Sequence, residues 1–430
     1  PELFILVSFA VNQYGYSSTG CSAAKLIQKA AGYEEIDAVG LNCGIGPAHM
    51  TAVVKKIGSI GEKFISVFPN AGYPKLVRDR VFYSENTEYF VEKMNEIAQW
   101  GADILGGCCG TKPAHIKGLI EAVECNVERN RITPEIGGVE VSHGRNEAFF
   151  AGKKSGEKLI AVELVPPLNV DDEAVIKSAE YLKGLGVDAL TFPDSPSGRT
   201  RVDSVLMADK VAKETGLCVI PHISCRDKNA IAMRSQIMGA YINNIYNLLV
   251  ITGDPVPVTE RGQVKSVFNF DSVKLMGMIN DMNSEFFSEA PMVYGGAINQ
   301  GRLNLDAEIK RVKRKLENGA GFFMSQPVFT KKDANCLRRI KEETGARILC
   351  GIMPLISRRN ALFMKNEISG VGIDDDIVEL FPENGSREQG ESIGVMLAKK
   401  AMEMCDDFAD GYYFSFPFNR VYLLEKLLEK

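Results

Sequence analysis

Two neighbouring cysteines, Cys108 and Cys109, stand between glycines in the sequence GGCCGT at residues 106–111. The segment before them, WGADIL, is a short apolar run that is typical of a buried strand. Adjacent Cα atoms lie about 3.8 Å apart, closer than the Cα atoms of most disulfides, so we expect both thiols to be free. Two interpretations follow: the thiols either pack as small hydrophobic groups or perform chemistry as thiolates.

A third cysteine ends an earlier apolar run. Cys43 closes IDAVGLNC and stands 65 positions before Cys108 (108 − 43), a distance that two strand and helix units span. Because the carboxyl ends of parallel strands meet at one mouth of a barrel, we expect these three thiols to converge. Three thiolates would leave a fourth metal position open, as catalytic zinc requires, whereas a zinc ribbon would show tight paired spacings. Inert packing is the alternative.

Further polar residues follow predicted strands later in the chain. They are Glu163, Asp194, His222, Asp227, Asp254, Gln326 and Arg420. In barrel proteins the working residues occupy such strand ends, where loops rather than core packing select the residue type. Each residue alone has a simpler explanation, as a loop cap or a buried hydrogen-bonded side chain. Together, around one mouth, they indicate an active site.

Short apolar runs alternate with amphipathic stretches from Lys158 onward. The eight runs are KLIAVELVPP, VDALTFPDS, CVIPHISCRD, LLVITGDPV, PMVYGGAIN, GFFMSQPVF, RILCGIMPL and YYFSFPFNR. Eight strand and helix pairs in about 270 residues predict an α/β fold of the (β/α)8 or TIM-barrel type, with an open doubly wound sheet as the alternative. Earlier in the chain the alternation occurs four times, in ELFILVSFAV, IDAVGLNCG, KFISVFPNAG and ADILGGCCG, which predicts half of another barrel.

These patterns predict two domains and a linker. Residues 1–130 form the half-barrel and residues 157–430 form the complete barrel. Residues 131–156 are rich in glycine and polar side chains and show no sustained period, so they are predicted to be a linker. The chain begins inside an apolar run without a methionine, and we therefore expect residues 1–130 to be the end of a longer domain.

The composition favours small-molecule partners. With 50 basic and 55 acidic side chains the net charge is −5, too balanced for nucleic acid or an anionic membrane surface to be the main partner. The apolar opening PELFILVSFAV is too short to span a bilayer. The ten cysteines are scattered along the chain rather than arranged as a dense disulfide framework, which favours a reducing, cytoplasmic location.

Two common nucleotide motifs are missing from the sequence. No GxGxxG turn opens a helix after a strand, and GxxxxGK[ST] does not occur, so any nucleotide must bind on the barrel itself. The basic run KRVKRK at residues 310–315 is either a solvated helix face or a grip for a diphosphate.

The motifs LNCGIGP, SVFPNAG and GGCCGT, in this order, resemble the second half of the zinc-dependent homocysteine S-methyltransferase family. The resemblance implies that Cys43, Cys108 and Cys109 bind Zn²⁺ and that the zinc binds the thiol of homocysteine. A metal-bound thiol loses its proton at neutral pH, which would provide the nucleophile that accepts a methyl group to make methionine.

The motifs VELVPP, PHISC, ITGDP, KRKLENGAGFFMSQPVF and GIMP resemble the methylenetetrahydrofolate reductase family across nearly the whole of residues 157–430. The resemblance implies a flavoprotein barrel. In that family FAD takes a hydride from NAD(P)H and passes it to 5,10-methylenetetrahydrofolate, giving 5-methyltetrahydrofolate.

The same resemblance implies individual roles. Glu163 matches the general acid that helps to open the methylene bridge, and Asp254 matches a carboxylate beside flavin and folate. Gln326 and Arg420 match substrate-binding positions. The implied FAD contacts are Thr191, His222, Asp254, Arg314 and Lys315. Ring opening requires a proton on the leaving nitrogen, and Glu163 can supply it near neutral pH if burial and its neighbour Asp254 raise its pKa.

Two segments depart from the simpler reductases. VYGGAIN carries glycines and Asn299 where many relatives have an aromatic residue and a histidine, and FPFNR differs from a tyrosine-rich ending. Both departures suit reductases fused to a homocysteine methyltransferase, so we predict a bifunctional enzyme of one-carbon metabolism that can form homo-oligomers. In the alternative, only the reductase is active and the half-barrel is a structural or oligomerisation module. A non-flavin lyase or aldolase is the rival for the barrel, although no Schiff-base lysine ends a predicted strand.

Overall fold

The chain folds into two compact units, Pro1–Val141 and Ser142–Lys430. The computed structural model describes residues 3–13, 15–17, 21–57, 60–72, 75–77, 80–83, 86–123, 149, 157–256, 264–367 and 371–429, with the backbone alone at 75–77, 80–82 and 367. The predicted linker therefore lies outside the described residues except at Phe149.

The first unit contains a four-stranded parallel sheet with the order β1-β2-β3-β6. Its strands are β1 (Leu6–Phe9), β2 (Ala38–Asn42), β3 (Phe64–Phe68) and β6 (Ile104–Leu105). The helices are α1 (Ala23–Ala31), α2 (Pro47–Val54), α3 (Thr87–Gln99) and α4 (Pro113–Ala122). These elements confirm the predicted half-barrel. An antiparallel hairpin, β4 (Lys75–Val77) and β5 (Arg80–Phe82), was not predicted.

Helices and sheet of the first unit share one apolar core. Ile27 of α1, Met50 of α2 and Phe90 of α3 are completely buried in it, and they pack with alternate strand residues such as Val39 and Val67. This period of two fixes which side chains face the helices. The carboxyl ends of the strands lead into loops, which can carry functional residues.

The second unit is a closed eight-stranded parallel barrel with the order β7-β8-β9-β10-β11-β12-β13-β14. Its strands are β7 (Leu159–Glu163), β8 (Ala189–Phe192), β9 (Cys218–Ser224), β10 (Asn247–Ile251), β11 (Val293–Ile298), β12 (Phe322–Pro327), β13 (Ile348–Ile352) and β14 (Gly411–Phe414). The register between β14 and β7 closes the ring, with Tyr413 opposite Ala161. The predicted (β/α)8 fold is confirmed, and an open doubly wound sheet is excluded.

Helices surround the barrel. They are α5 (Glu173–Gly184), α6 (Ser204–Thr215), α7 (Ala230–Ile242), α8 (Ser272–Glu285), α9 (Leu305–Glu317), α10 (Lys331–Thr344), α11 (Arg358–Glu367), α12 (Asp375–Glu379), α13 (Arg387–Cys405) and α14 (Leu423–Leu428). Their limits follow from local chemistry: Thr330 and Asp333 form a capping box at the start of α10, and Gly345 ends it in the left-handed conformation. Within the described part of the chain, none of the helices combines the length and apolar character needed to cross a bilayer.

Small and large apolar side chains fill the barrel interior. Phe149 packs there with Phe322, at a ring-centroid distance of 5.4 Å. The Phe149 backbone amide donates to Oδ1 of Asn247, the first residue of β10, at 2.9 Å. Because β10 begins at the amino-terminal end of the barrel, Phe149 closes the end opposite the mouth. We call this contact the floor plug.

Candidate thiol centre and candidate active site

The structure brings the three predicted metal ligands together. Cys43 directly follows β2, and Cys108 and Cys109 follow β6. Their sulfur atoms all lie within 4.8 Å of one another, with Cys43 Sγ 3.6 Å and Cys108 Sγ 4.0 Å from Cys109 Sγ. Tetrahedral zinc with Zn–S bonds of about 2.3 Å places its ligand sulfurs about 3.8 Å apart. The donor set and its spacing therefore fit zinc.

Backbone hydrogen bonds from the loop after β3 hold the thiol centre in place. The amide of Cys43 donates to the carbonyl of Phe68 at 2.9 Å, and the amide of Cys108 donates to Pro69 at 2.8 Å. The amide of Ala71 in turn donates to the carbonyl of Cys109 at 2.9 Å. One loop, with the sequence FPNA, thus fixes both cysteine-bearing loops, which explains why SVFPNAG accompanies the cysteine motifs.

The thiols influence one another's ionisation. Burial raises the pKa of Cys43, but hydrogen bonds from the Gly44 amide and the other two thiols outweigh it and leave the pKa lowered. Burial and the hydrogen bond with Cys43 raise the pKa of Cys108 to about 11. The site therefore favours one thiolate and opposes a second, and a bound cation would be needed to hold all three as thiolates.

Two polar side chains near the thiols were not predicted. Tyr83 lies beside Cys109, and burial together with Cys109 raises the pKa of its hydroxyl. Its side chain covers Gly110, where a Cβ atom would lie 2.4 Å from Cβ and Cγ of Tyr83. Asn70, in the FPNA loop, is buried, and its Oδ1 has no hydrogen-bond partner among the described residues. Tyr83 follows the hairpin β4 and β5, which was not predicted, so no predicted strand end pointed to this residue.

Glu163 ends β7 at the mouth of the second unit. Ser415 Oγ donates to its Oε1 at 3.0 Å, and the Tyr413 hydroxyl donates to its Oε2. Burial raises the pKa of Glu163, and these two hydrogen bonds only partly oppose the increase. The predicted rise is present, but its cause is burial, because Asp254 is not among the groups that shift this pKa.

Asp254 lies in the loop after β10 and is exposed. Its Oδ2 accepts a hydrogen bond of 2.8 Å from the backbone amide of Ser197, in the short 3-10 turn Pro196–Gly198 after β8. Arg226 Nη1 donates to the Asp254 carbonyl at 3.2 Å. Two neighbouring loops thus hold this residue at the mouth.

Gln326 stands near the end of β12 and is partly exposed. Its carbonyl accepts from Gln300 Nε2 at 2.9 Å, while its side-chain amide makes no hydrogen bond to the part of the chain that the structure describes. Gln300, which was not predicted, is buried with an Oε1 that also lacks a partner among the described residues. Two amides are therefore available at this side of the mouth.

Arg420 is anchored on a buried carboxylate. Its Nη1 donates to Glu391 Oε1 at 2.8 Å, and the same oxygen accepts from Tyr422 at 2.6 Å and from Arg387 Nε at 2.9 Å. Burial raises the pKa of Glu391, but hydrogen bonds from Tyr422 and Arg387 outweigh it, so the pKa is lowered. The Arg420 guanidinium thus has one end fixed, and 24% of its side chain remains exposed.

Comparison with known families gives both units a counterpart. The homocysteine S-methyltransferase family model matches residues 1–123, and the methylenetetrahydrofolate reductase family model matches residues 150–413. The second match covers more than half of the chain. The chain belongs to the methylenetetrahydrofolate reductase family. The predicted resemblance of each unit is thereby confirmed.

Individual relatives match shorter stretches of this methylenetetrahydrofolate reductase family member. Methionine synthases of Mycobacterium tuberculosis (strain ATCC 25618 / H37Rv) and Mycobacterium leprae (strain TN) are 38% identical over 95 and 93 residues, which are 22% and 21% of this chain and 8% of each relative. The chain thus matches a small part of these relatives. A structure titled "Uncharacterized protein from Clostridium thermocellum binds two copies of 5-methyl-5,6,7,8-tetrahydrofolic acid" shares 14% identity and a TM-score of 0.45, covering 63% of this chain and 96% of that one.

Thr191 and His222 are buried beside the mouth of the methylenetetrahydrofolate reductase barrel. Thr191 pairs with Glu163 across β7 and β8. Its Oγ1 lies beside the Tyr413 hydroxyl, without a standard hydrogen bond to it. His222 Nε2 likewise has no hydrogen-bond partner among the described residues. Buried polar atoms without partners are rare in folded proteins, so both side chains fit a site for a polar ligand.

His222 gives the methylenetetrahydrofolate reductase barrel a predictable response to acid. Burial lowers its pKa from 6.5 to about 4. The folded state therefore binds fewer protons than the unfolded chain between these values, and stability is lost as the pH falls through that window, by at most about 3 kcal/mol. We expect His222→Gln to weaken this dependence in urea unfolding at pH 7 and pH 4.5. The exposed His49→Gln is the control, and equal acid sensitivity of wild type and His222→Gln would contradict the assignment.

Lys315 and Arg314 lie in the last turn of α9. Lys315 is buried, and its Nζ donates to the carbonyl of Ala297 in β11 at 2.6 Å. Burial lowers its pKa to about 8. Arg314 is exposed on the same turn. The structure thus brings Lys315 against the barrel wall, whereas Arg314 makes no hydrogen bond through its side chain within the described residues.

Proposed function

We propose that the barrel is an FAD-dependent reductase that converts 5,10-methylenetetrahydrofolate to 5-methyltetrahydrofolate with NAD(P)H. The observation that carries this proposal is Glu163, a carboxyl group with a raised pKa that Tyr413 and Ser415 hold at the mouth of a barrel of this family. Opening of the folate's methylene bridge requires a proton donor, and a raised pKa suits a carboxyl group to that role.

Glu163 acts as the proton donor in this proposal. When the bond from the bridge carbon to one folate nitrogen breaks, that nitrogen takes the proton from Glu163, and the bridge becomes an electrophilic iminium. Tyr413 and Ser415 receive the resulting carboxylate with hydrogen bonds that already exist, so little rearrangement is needed. Because the same two contacts orient the carboxyl group of Glu163, they also fix the direction in which its proton is transferred.

Other residues of the mouth bind and orient the ligands. FAD, when bound, supplies hydride transfer from NAD(P)H to the folate. Thr191 and His222 offer FAD buried polar atoms, and Asp254 offers a carboxylate. Lys315 and Arg314 offer cationic groups for the diphosphate of FAD. For the folate, Gln326 supplies an amide that can bind the pterin edge. Arg420, fixed by Glu391, supplies a cation suited to a carboxylate of the glutamate tail.

The absorbance spectrum of the purified chain, after incubation with FAD and removal of the excess, tests the reductase proposal. We expect flavin bands that NAD(P)H bleaches without oxygen and that 5,10-methylenetetrahydrofolate restores, with formation of 5-methyltetrahydrofolate. Heat-denatured protein treated identically shows how much flavin adheres nonspecifically. A folded chain that binds no FAD, or a reduced flavin that the folate leaves unchanged, would refute the proposal.

For the first unit we propose a zinc centre that activates homocysteine for methyl transfer. The three convergent sulfurs and the homocysteine S-methyltransferase match over residues 1–123 support this function. Zinc, when bound, supplies the positive charge that stabilises thiolates. Cys43, Cys108 and Cys109 would hold it, and the exposure of Cys109 leaves room for a substrate thiol.

A structural role for the first unit remains the second candidate. It is favoured by one observation, namely that this unit buries an apolar core of its own and needs no metal to account for its packing. Zinc content separates the two candidates, because inert cysteines would retain no metal.

A further inference from the structure

We infer that Arg226 is a positioning residue for Asp254 and sets the geometry of the mouth. The inference rests on the proposed reductase function only for the chemical role of Asp254. Arg226 follows β9 and is the largest fully buried side chain in the part of the chain that the structure describes. Only 2% of it is exposed, although it carries a permanent charge.

The guanidinium of Arg226 joins three consecutive loops. Its Nε and Nη2 form a fork with the carboxylate of Asp227, at 2.8 Å to Oδ1 and 2.6 Å to Oδ2. Its Nη1 donates to the carbonyl of Ser195 at 3.1 Å, in the loop after β8, and to the carbonyl of Asp254 at 3.2 Å, in the loop after β10. The fork fixes the plane of the group, so Nη1 has a defined direction.

The two carbonyls that Nη1 binds lie in two loops that are also joined by one further contact. Asp254 Oδ2 accepts from the amide of Ser197, two residues after Ser195. Ser195 and Ser197 both have left-handed backbones, with φ of 45° and 56°, a conformation that non-glycine residues adopt only when their surroundings impose it. Arg226 supplies that constraint at one end of the turn, and Asp254 supplies it at the other.

The loop after β10 is shaped to pass close to Arg226. Gly253 has φ of +90°, and a Cβ atom there would lie 3.2 Å from Cβ of Arg226 and 3.0 Å from Cβ of Ser224. The chain therefore reaches Asp254 only by a backbone that lies directly against β9 and Arg226. Arg226 thus determines where the Asp254 carboxylate stands, without itself having to touch a substrate.

Arg226→Lys is the principal test, because lysine keeps the charge but cannot make the fork and both carbonyl contacts. We expect the Ser197 amide to exchange hydrogen for deuterium roughly three- to tenfold faster, approaching the rate in Asp254→Ala, which removes the acceptor. Arg234→Lys on α7 is the matched control and should leave the exchange unchanged. Unchanged exchange in a folded Arg226→Lys would overturn the inference.

A double-mutant cycle then tests whether Arg226 acts through Asp254. We expect Arg226→Lys to lower the rate of folate reduction about tenfold in the wild-type background and less than about twofold in Asp254→Ala, because residues that act as a unit are not additive. Independent, multiplicative effects would refute the positioning role. If Arg226→Lys fails to fold, Asp227→Asn, which weakens the fork, should shift the exchange in the same direction, and a variant without that shift would also refute it.

The two proposals can fail separately. If the wild type binds no FAD and reduces no folate, the reductase function is wrong, while faster exchange of the Ser197 amide in Arg226→Lys would still establish the positioning contact. If folate reduction is present and the exchange is unchanged, only the role of Arg226 is wrong.

Discussion

Replacing Glu163 with glutamine is expected to slow folate reduction about a hundred- to ten-thousand-fold, while the rate at which NAD(P)H reduces bound FAD stays the same. Glutamine keeps the size of the side chain, and its single carbonyl oxygen can still accept from Tyr413 or Ser415, but it has no acidic proton to give to the leaving nitrogen. Rapid mixing of the protein with NAD(P)H alone, and of the reduced protein with 5,10-methylenetetrahydrofolate, measures the two half-reactions separately.

Stability offers a second measurement on the same variant. Because burial raises the pKa of Glu163 above its ordinary value of 4.5, the folded state binds more protons than the unfolded chain, and wild-type stability falls as the pH rises above that value. Glu163→Gln lacks this loss. Its free energy of unfolding relative to wild type should therefore rise with pH, unlike that of the exposed control Glu173→Gln. Folate reduction at the wild-type rate would rule out Glu163 as the acid.

Replacing Cys43, Cys108 or Cys109 with serine is expected to abolish zinc retention. The wild type should keep one equivalent of zinc after dialysis with a weak chelator under reducing conditions, because three thiolates at tetrahedral spacing bind the metal strongly. Each single serine variant should retain almost none. Metal analysis of the dialysed protein, together with competition against a chromophoric chelator, gives stoichiometry and affinity.

Two further variants sharpen this measurement. Cys21→Ser, which changes a partly buried cysteine of the same unit outside the thiol centre, should keep the full equivalent. Tyr83→Phe, which removes the hydroxyl group beside Cys109, should weaken zinc binding about tenfold or more, as losses of outer-shell partners do. A wild type that retains no zinc would favour the structural interpretation of the first unit.

The strands and the thiol centre could be predicted because each has a local signal. Buried parallel strands are continuous apolar runs, and all eight predicted runs of the barrel overlap observed strands. Cys43 and Cys109 are 66 positions apart, yet both lie in loops that follow strands of one parallel sheet, so the topology brings them together. Glu163 was found by the same rule.

The contacts that hold these residues could not be predicted in this way. Tyr413 is 250 positions from Glu163, and Glu391 is 29 positions from Arg420; no periodic pattern links such pairs. Arg226 was not predicted, because its burial depends on three loops meeting, which no local pattern reveals. The pair β4 and β5 was missed because each strand has only three residues, one of which is charged (Lys75 or Arg80).

The cause of the raised Glu163 pKa illustrates the same limit. From the sequence, a second carboxylate at the mouth was the available explanation, and Asp254 was proposed as that neighbour. In the structure Asp254 is exposed and engaged with the Ser197 amide, while Glu163 is enclosed by β14 through Tyr413. The strand order can be derived from the alternation of apolar runs and amphipathic stretches. The burial of one side chain, however, depends on which neighbouring side chains pack around it, and the alternation does not give that information.

The floor plug has a consequence for dividing the protein. Phe149 precedes the predicted start of the barrel at residue 157, yet its ring lies 5.4 Å from Phe322 and its amide occupies Oδ1 of Asn247, a residue with no exposed surface. A shortened protein starting at Glu157 would lose an aromatic ring from the core, at a cost of about 3 to 5 kcal/mol, and would also lose the backbone amide that donates to Oδ1 of Asn247. A protein shortened to start at residue 157 should therefore be less stable, with water able to reach the end of the barrel core that Phe149 covers. A protein that starts a few residues before Phe149 should keep this contact and its stability.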